Sequence, residues 1–158
     1  MNAVLRDAGK LVPMTVGDLD AVTSIEASAY PFPWSRGNFI DSLAAGYTAH
    51  ILLADRHRTI GYFIAMEGVD EMHLLNLTVA PAEQRRGHAR RMLDAVVALC
   101  RERGARQLWL EVRESNARAR ALYLRYGFKH IGVRRGYYPA TGGQREDAAV
   151  MSLDVAVA

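Results

Sequence analysis

The chain of 158 residues contains one cysteine, Cys100, which excludes an internal disulfide and any zinc cluster built on cysteines. Lysine is nearly missing as well, with Lys10 and Lys129 the only two. No apolar run approaches the roughly 20 residues that a membrane-spanning helix needs. The opening Met1-Asn2-Ala3-Val4-Leu5-Arg6-Asp7 has no charged stretch followed by an apolar core, so no secretory signal is expected. Neither sign of charge is in large excess. Twenty basic residues against 17 acidic ones give a net charge of +3, too even to imply nucleic-acid binding by itself. The five histidines are scattered without metal-ligand spacing, so no metal site is expected. These absences predict a soluble, cytoplasmic protein with no membrane or nucleic-acid partner, a monomer or weak oligomer.

What is present is ordinary globular material, 50% hydrophobic and 23% charged. A chain of this length is expected to form one domain, residues 1–158, burying about 70% of its unfolded surface. Lys10–Met14 reads as a first strand. Thr15 or Asp18 can cap a helix running to about Ala29, with Leu19, Val22, Ile25 and Ala29 inward. Pro31-Phe32-Pro33-Trp34 breaks it, and Ser35 can cap a second helix through Phe39, Ile40 and Leu43, closed by Gly46. Strands follow near Thr48–Ala54 and Thr59–Glu67.

The central stretch is Leu74-Leu75-Asn76-Leu77-Thr78-Val79-Ala80-Pro81, an apolar run that suits a buried strand, followed by Ala82-Glu83-Gln84-Arg85-Arg86-Gly87-His88-Ala89. From Gly87 to Arg103, Ala89, Met92, Leu93, Val96, Val97 and Cys100 share one helical stripe, and Gly104 is a natural stop. A helix start with unpaired amides and positive dipole attracts anions, and arginines there oppose the dipole unless an anion binds. This predicts a phosphate-bearing cofactor. Gln107–Val112 is a further strand, and Ser115 or Asn116 caps a helix to Tyr126. Lys129–Val133 and Ala148–Val155 are the last strands, separated by a loop rich in tyrosine and glycine. The order β-α-α-β-β-β-α-β-α-β-β argues for an α/β sandwich with at least one parallel pair around the long helix.

Gln84-Arg85-Arg86-Gly87-His88-Ala89 resembles the acyl-CoA pyrophosphate loop of the GNAT acetyltransferases, between the strand and helix that such a loop requires. Phe32-Pro33-Trp34-Ser35, Trp109-Leu110-Glu111-Val112-Arg113, Ser115-Asn116, Ala121-Leu122-Tyr123, Tyr126-Gly127-Phe128, Arg134-Arg135-Gly136-Tyr137-Tyr138-Pro139 and Arg145-Glu146-Asp147-Ala148 resemble the bacterial ribosomal-protein-alanine N-acetyltransferases, the Rim type. The resemblance implies the GNAT fold, a mixed, mostly antiparallel sheet of about seven strands with a splayed central parallel pair and four helices. It implies acetyl transfer from acetyl-CoA, with no metal, to the N-terminal alanine of small-subunit ribosomal protein number eighteen. Two places depart from the pattern: Gly142-Gly143-Gln144 makes a turn one residue longer, and the first 25 residues carry little signature.

Acetyl transfer to an amine needs the nucleotide held, the carbonyl polarised, the amine neutral and the leaving thiolate protonated. Amides from Arg85 to Arg90 can ring a pyrophosphate, with Gly87 and Ala89 small enough for close approach. The cofactor set implied is Leu77, Thr78, Val79, Gln84, Arg85, Arg86, Gly87, His88, Ala89, Arg90, Asn116 and Tyr123. Within it the resemblance gives Leu77 and Val79 backbone groups to the pantetheine arm and thioester oxygen, and Asn116 to the pantetheine arm. Glu111 interrupts an apolar strand. From the residues alone it is a base strengthened by burial, an outward-facing carboxylate or a structural ion pair; the resemblance makes it the base. Tyr123 alone reads as a packing residue; the resemblance makes it the acid for the thiolate. Trp34, Glu71, Tyr137 and Tyr138 are candidates for the acceptor, and Glu67, Asp70 and Glu71 could attract a basic peptide. An α-amine is about 14% neutral at pH 7 and a lysine about 0.04%, which favours an N-terminal acceptor. The alternatives are other N-termini, lysines or a small amine, and, from another class, a silent acyl-CoA-binding module.

Overall fold

A computed structural model describes residues 9–156 of the chain. The reading of Met1–Asp7 falls outside the described residues.

The elements run in the expected order. Strand β1 is Lys10–Pro13, helix α1 Leu19–Ala29, helix α2 Arg36–Ala44, β2 Thr48–Leu53, β3 Thr59–Glu67 and β4 Glu71–Val79. Helix α3 follows at His88–Arg103, then β5 at Gln107–Arg113, α4 at Ala117–Tyr126, β6 at Lys129–Pro139 and β7 at Arg145–Asp154. The seven strands form a sheet in the order β1-β2-β3-β4-β5-β7-β6. β4 and β5 are the parallel pair, and their register covers three pairs: Glu71↔Gln107, Met72↔Leu108 and His73↔Trp109.

The chain divides into two compact units, Met1–Met66 with Asn76–Val96, and Glu67–Leu75 with Val97–Ala158. In the first, Thr15 and Asp18 both stand ahead of α1, though the Asp18 side chain makes no cap bond to that helix. Thr15 opens a 3-10 turn through a capping box with Asp18, and Asp18 then stands at the N-cap of α1. Ser35 caps α2 by accepting from the Asn38 amide at 3.1 Å, while the Asn38 side chain takes the Ser35 amide at 2.8 Å. Phe39 is sealed in the core with its ring on Tyr62, and Ile40 is 41% exposed. The inner face of α1 is corrected. Leu19 and Val22 are buried, but the third buried position is Glu26, while Ile25 and Ala29 are half-buried.

In the second unit Leu108, Leu110 and Val112 point into the core and Trp109, Glu111 and Arg113 alternate on the other face of β5. Cys100 packs as core, its sulfur 3.8 Å from that of Met72, and burial pushes its thiol up to about 11. Phe128 follows the α4 glycine stop, and its amide donates to the Tyr123 carbonyl at 3.0 Å. The expected tyrosine-rich loop is largely strand. β6 continues to Pro139 and β7 begins at Arg145, with Tyr138 across from Glu146. Gly136 (φ 58°) sits in a bulge between Arg134 and Tyr138. Its amide donates to Asp147 Oδ1 at 2.8 Å, and the Arg145 guanidinium donates to the Gly136 and Tyr137 carbonyls, both at 2.9 Å. A composition that reads as loop is a strand with one extra twist.

Candidate active site

In the first unit, the loop after β4 turns through Arg85 (φ 65°) and Gly87 (φ 83°) into α3. A Cβ added at Gly87 would meet nothing within 4 Å, so the loop presents open backbone there. The first intrahelical bond runs from the Arg91 amide to the Gly87 carbonyl at 3.1 Å, so the amides of His88, Ala89 and Arg90 precede the ladder. The first turn of α3 carries no acidic residue. Arg91 Nη1 is buried with no hydrogen-bond partner among the described residues. The loop's own shape is held by Gln84, whose side-chain amide donates to the Val79 carbonyl at 3.1 Å, and by Glu83, which pairs with Arg58 at 3.0 Å and Arg86 at 3.1 Å. Gln84 thus occupies the Val79 carbonyl, and Arg86 is drawn to a carboxylate. His88, expected in the loop, is the first residue of the helix and is buried.

Behind this strand lies a polar cluster that sequence reading missed. Glu26 is 2% exposed and accepts three hydrogen bonds: Tyr62 hydroxyl at 2.6 Å, Asn76 Nδ2 at 3.0 Å and Trp34 amide at 2.9 Å. Thr78 Oγ1 donates to Asn76 Oδ1 at 2.7 Å, which leaves it to accept from Tyr30, also at 2.7 Å. Every donor in the chain therefore points toward the carboxylate. Burial, then the charge of Glu26, pushes the Tyr62 hydroxyl far above its ordinary value. Tyr30 is pushed up to about 12 by burial and the same charge, against the lowering effect of its bond to Thr78. The inward faces of Asn76 and Thr78 are thereby tied to α1, and the Trp34 turn to Glu26. Trp34 packs on Phe39 (5.2 Å) and borders an open groove of about 530 Å³ with Asn38, Asp41, Ser42, Ala45 and Tyr47.

In the second unit, Glu111 lies on β5 with its side chain only 4% exposed. His73 of β4 reaches it. Nε2 is 3.2 Å from Oε2 in hydrogen-bonding direction and 2.6 Å from Oε1, which lies off the N–H axis. Oε1 is buried and receives no hydrogen bond among the described residues. The His73 ring stacks on Trp109, centroids 3.6 Å apart and planes within 8°. Burial, then the Glu111 charge, raises the Tyr137 hydroxyl, opposed by Arg134. Tyr138 is raised chiefly by burial and then by Glu111. Its ring faces Arg113 at 4.5 Å, and Arg113 pairs with Glu146 at 3.0 Å. The bulge at Gly136 thus sets two tyrosines beside a buried carboxylate.

On α4, Asn116 is the N-cap. Its Oδ1 accepts from the Ala119 amide at 3.2 Å, which commits the oxygen to the helix. Tyr123 is 8% exposed with its ring edge-on to Phe128 at 5.4 Å. Glu71 stays exposed at the start of β4.

The family model described as acetyltransferase (GNAT) family matches residues 19–128. The chain belongs to this family. It is 38% identical over 136 residues to the [ribosomal protein bS18]-alanine N-acetyltransferase of Haemophilus ducreyi, covering 86% of this chain and 93% of that protein. With the enzyme of the same name from Escherichia coli K12 it shares 39% over 140 residues, 89% and 93% of the two chains. The crystal structure of the ribosomal-protein-S18-alanine N-acetyltransferase from Escherichia coli superposes with a TM-score of 0.85 at 37% identity, covering 95% of this chain and 96% of that one.

As a GNAT acetyltransferase, the chain has the seven-stranded, mostly antiparallel sheet with one parallel pair that the resemblance implied. Among the described residues no group of His, Cys, Asp and Glu could hold a metal ion, and no helix is long and apolar enough to cross a membrane. The structure brings together Glu111, Tyr137 and Tyr138 from the candidate residues and adds His73, Trp109 and, in the first unit, Glu26, Tyr30, Tyr62 and Asn76. Their signal in the sequence was faint. Glu26 stands at the helical spacing of Leu19 and Val22, and His73 stands two positions from Glu71 on an alternating strand.

Proposed function

We propose that this acetyltransferase, working as one domain, moves an acetyl group from acetyl-CoA to the N-terminal α-amine of a protein, the N-terminal alanine of ribosomal protein bS18. The observation that carries the reaction is Glu111: a carboxylate 4% exposed, with Oε1 buried and receiving no hydrogen bond among the described residues. Such an oxygen has a lone pair to spare for a proton. The acceptor is supported by the 38–39% identity to enzymes bearing that name. It is placed in the cytoplasm, with a protein N-terminus as the partner.

The residues present fit acetyl-CoA. Open backbone at Gly87, the leading amides of α3 and the buried, unpartnered Arg91 Nη1 offer donors to phosphate oxygens. Gln84, Arg85, Arg86, His88, Ala89 and Arg90 form that loop and helix start, while Leu77, Thr78 and Val79 supply strand backbone. Asn116 offers its NH2 to the pantetheine arm. Bound there, the group supplies acetyl as a thioester.

Glu111 Oε1 takes the proton that the attacking amine must lose. The Tyr123 hydroxyl returns a proton to the departing sulfur. Trp34, Glu71, Tyr137 and Tyr138 border the acceptor. An N-terminal amine arrives partly neutral, so one buried carboxylate suffices.

A thiol-release assay with acetyl-CoA and an alanine-led peptide tests this reading. Wild-type protein is expected to release CoA with the peptide present, and Glu111→Gln is expected to bind acetyl-CoA yet stay silent. Full turnover by Glu111→Gln would remove the base assignment.

A further inference from the structure

Among the described residues no backbone group holds the Glu111 carboxylate. Its Oε2 stands 3.2 Å from His73 Nε2 in line for a hydrogen bond, and both side chains are nearly sealed, 12% and 4% exposed. His73 in turn is fixed twice. Its backbone lies in register with Trp109, and its ring lies flat on that indole at 3.6 Å. Indole N–H is directional and not an acceptor, so the stack fixes the plane of the imidazole and leaves its nitrogens to define the bond.

The position of the proton follows from charge. A bare Nε2 lone pair facing two carboxylate oxygens at 2.6 and 3.2 Å would be repulsive, so Nε2 carries a proton. That proton occupies Oε2. Oε1 is nearer but off the N–H axis and is buried without a hydrogen-bond donor among the described residues. The two oxygens are therefore unequal, one engaged and one spare.

We propose that His73 is a positioning residue for the transfer: stacked on Trp109, it donates Nε2–H to Glu111 Oε2 and so turns Oε1 toward the amine whose proton Glu111 takes. The proposal rests on the base role of Glu111 given above. A carboxylate without this anchor swings about its terminal torsion, and a misplaced base loses about 10- to 100-fold in rate.

Three variants separate the possible roles of the ring. His73→Phe keeps a flat ring on Trp109 but removes the donor. His73→Gln loses the ring but can place an amide N–H near the former Nε2. His73→Ala removes both. With acetyl-CoA and an alanine-led peptide, His73→Phe and His73→Ala are expected to lose about 10- to 100-fold in kcat, with KM for acetyl-CoA within about twofold of wild type, and His73→Gln to recover most of that loss. A thermal melt run beside each assay shows whether the variant is folded. Folded His73→Phe at wild-type kcat overturns the proposal, as does folded His73→Gln no better than His73→Ala, since the ring would then serve packing alone. Glu111→Gln is run in parallel. If Glu111→Gln turns over, the base reading fails beneath the proposal; if it is silent while His73→Phe is unimpaired, the His73 inference alone fails.

Discussion

The Tyr62 hydroxyl donates to Glu26 Oε1 at 2.6 Å, inside a core where Tyr62 is fully sealed and Glu26 2% exposed. The carboxylate is held by donors rather than by an opposite charge, so each donor is left without its acceptor if Glu26 is removed. Glu26→Ala is expected to cost about 3–5 kcal/mol in urea unfolding. Tyr62→Phe, which removes one donor and leaves the carboxylate two others, is expected to cost about 1.5–3 kcal/mol. Equal losses in the two variants would contradict a carboxylate-centred network.

Two glycines should lose stability for different reasons, and only one of them should touch the cofactor. A Cβ at Gly61 would stand 2.8 Å from the Thr78 carbonyl oxygen and 3.1 Å from Met92 Cε, so the strand must move. Gly61→Ala is expected to lose about 1–3 kcal/mol of stability. Gly87→Ala has room but must hold φ near 83°, at about 1–2 kcal/mol. Its expected signature is a raised KM for acetyl-CoA, read by initial rates; an unchanged KM would detach Gly87 from the cofactor.

Tyr123 separates packing from proton transfer. Tyr123→Phe keeps the edge contact with Phe128, so stability is expected within about 1 kcal/mol of wild type. The rate of CoA release is expected to fall about 10²- to 10⁴-fold. A folded variant at full rate would return Tyr123 to the core.

Alkaline conditions should unfold the protein in a definable window. Burial, then the charge of Glu26, lifts the Tyr30 hydroxyl to about 12 from an ordinary 10.0, and burial lifts the Cys100 thiol to about 11 from 9.0. For groups raised in the folded state, the unfolded chain loses its protons first as pH rises. Their contribution is complete below pH 9 and is lost as pH climbs to about 12. Urea midpoints are expected to hold to pH 9 and fall by pH 11, less steeply in Tyr30→Phe. A flat midpoint through pH 11 would contradict the burial argument.

Much of this was legible in the sequence because it rests on local rules. Ser35 reads as a cap and is one, and of Ser115 and Asn116 it is Asn116 that caps; Gly127 followed by Phe128 reads as a helix stop and is one. What escaped detection depends on contacts between distant segments. Nothing local marks Glu26, because its donors Tyr62 and Asn76 stand 36 and 50 residues away. His73 reads as one scattered histidine until the parallel register sets it against Trp109. Gly136 and the tyrosines read as loop because composition does not distinguish a turn from a bulge whose partners, Asp147 and Arg145, lie on the next strand.

The central claim is the acceptor. Unacetylated ribosomal protein bS18 incubated with the enzyme and acetyl-CoA, then fragmented in a mass spectrometer, locates the product directly. One acetyl group on the N-terminal alanine nitrogen, absent with Glu111→Gln, is the expected result. Acetyl groups on lysine side chains with the α-amine untouched would contradict the account.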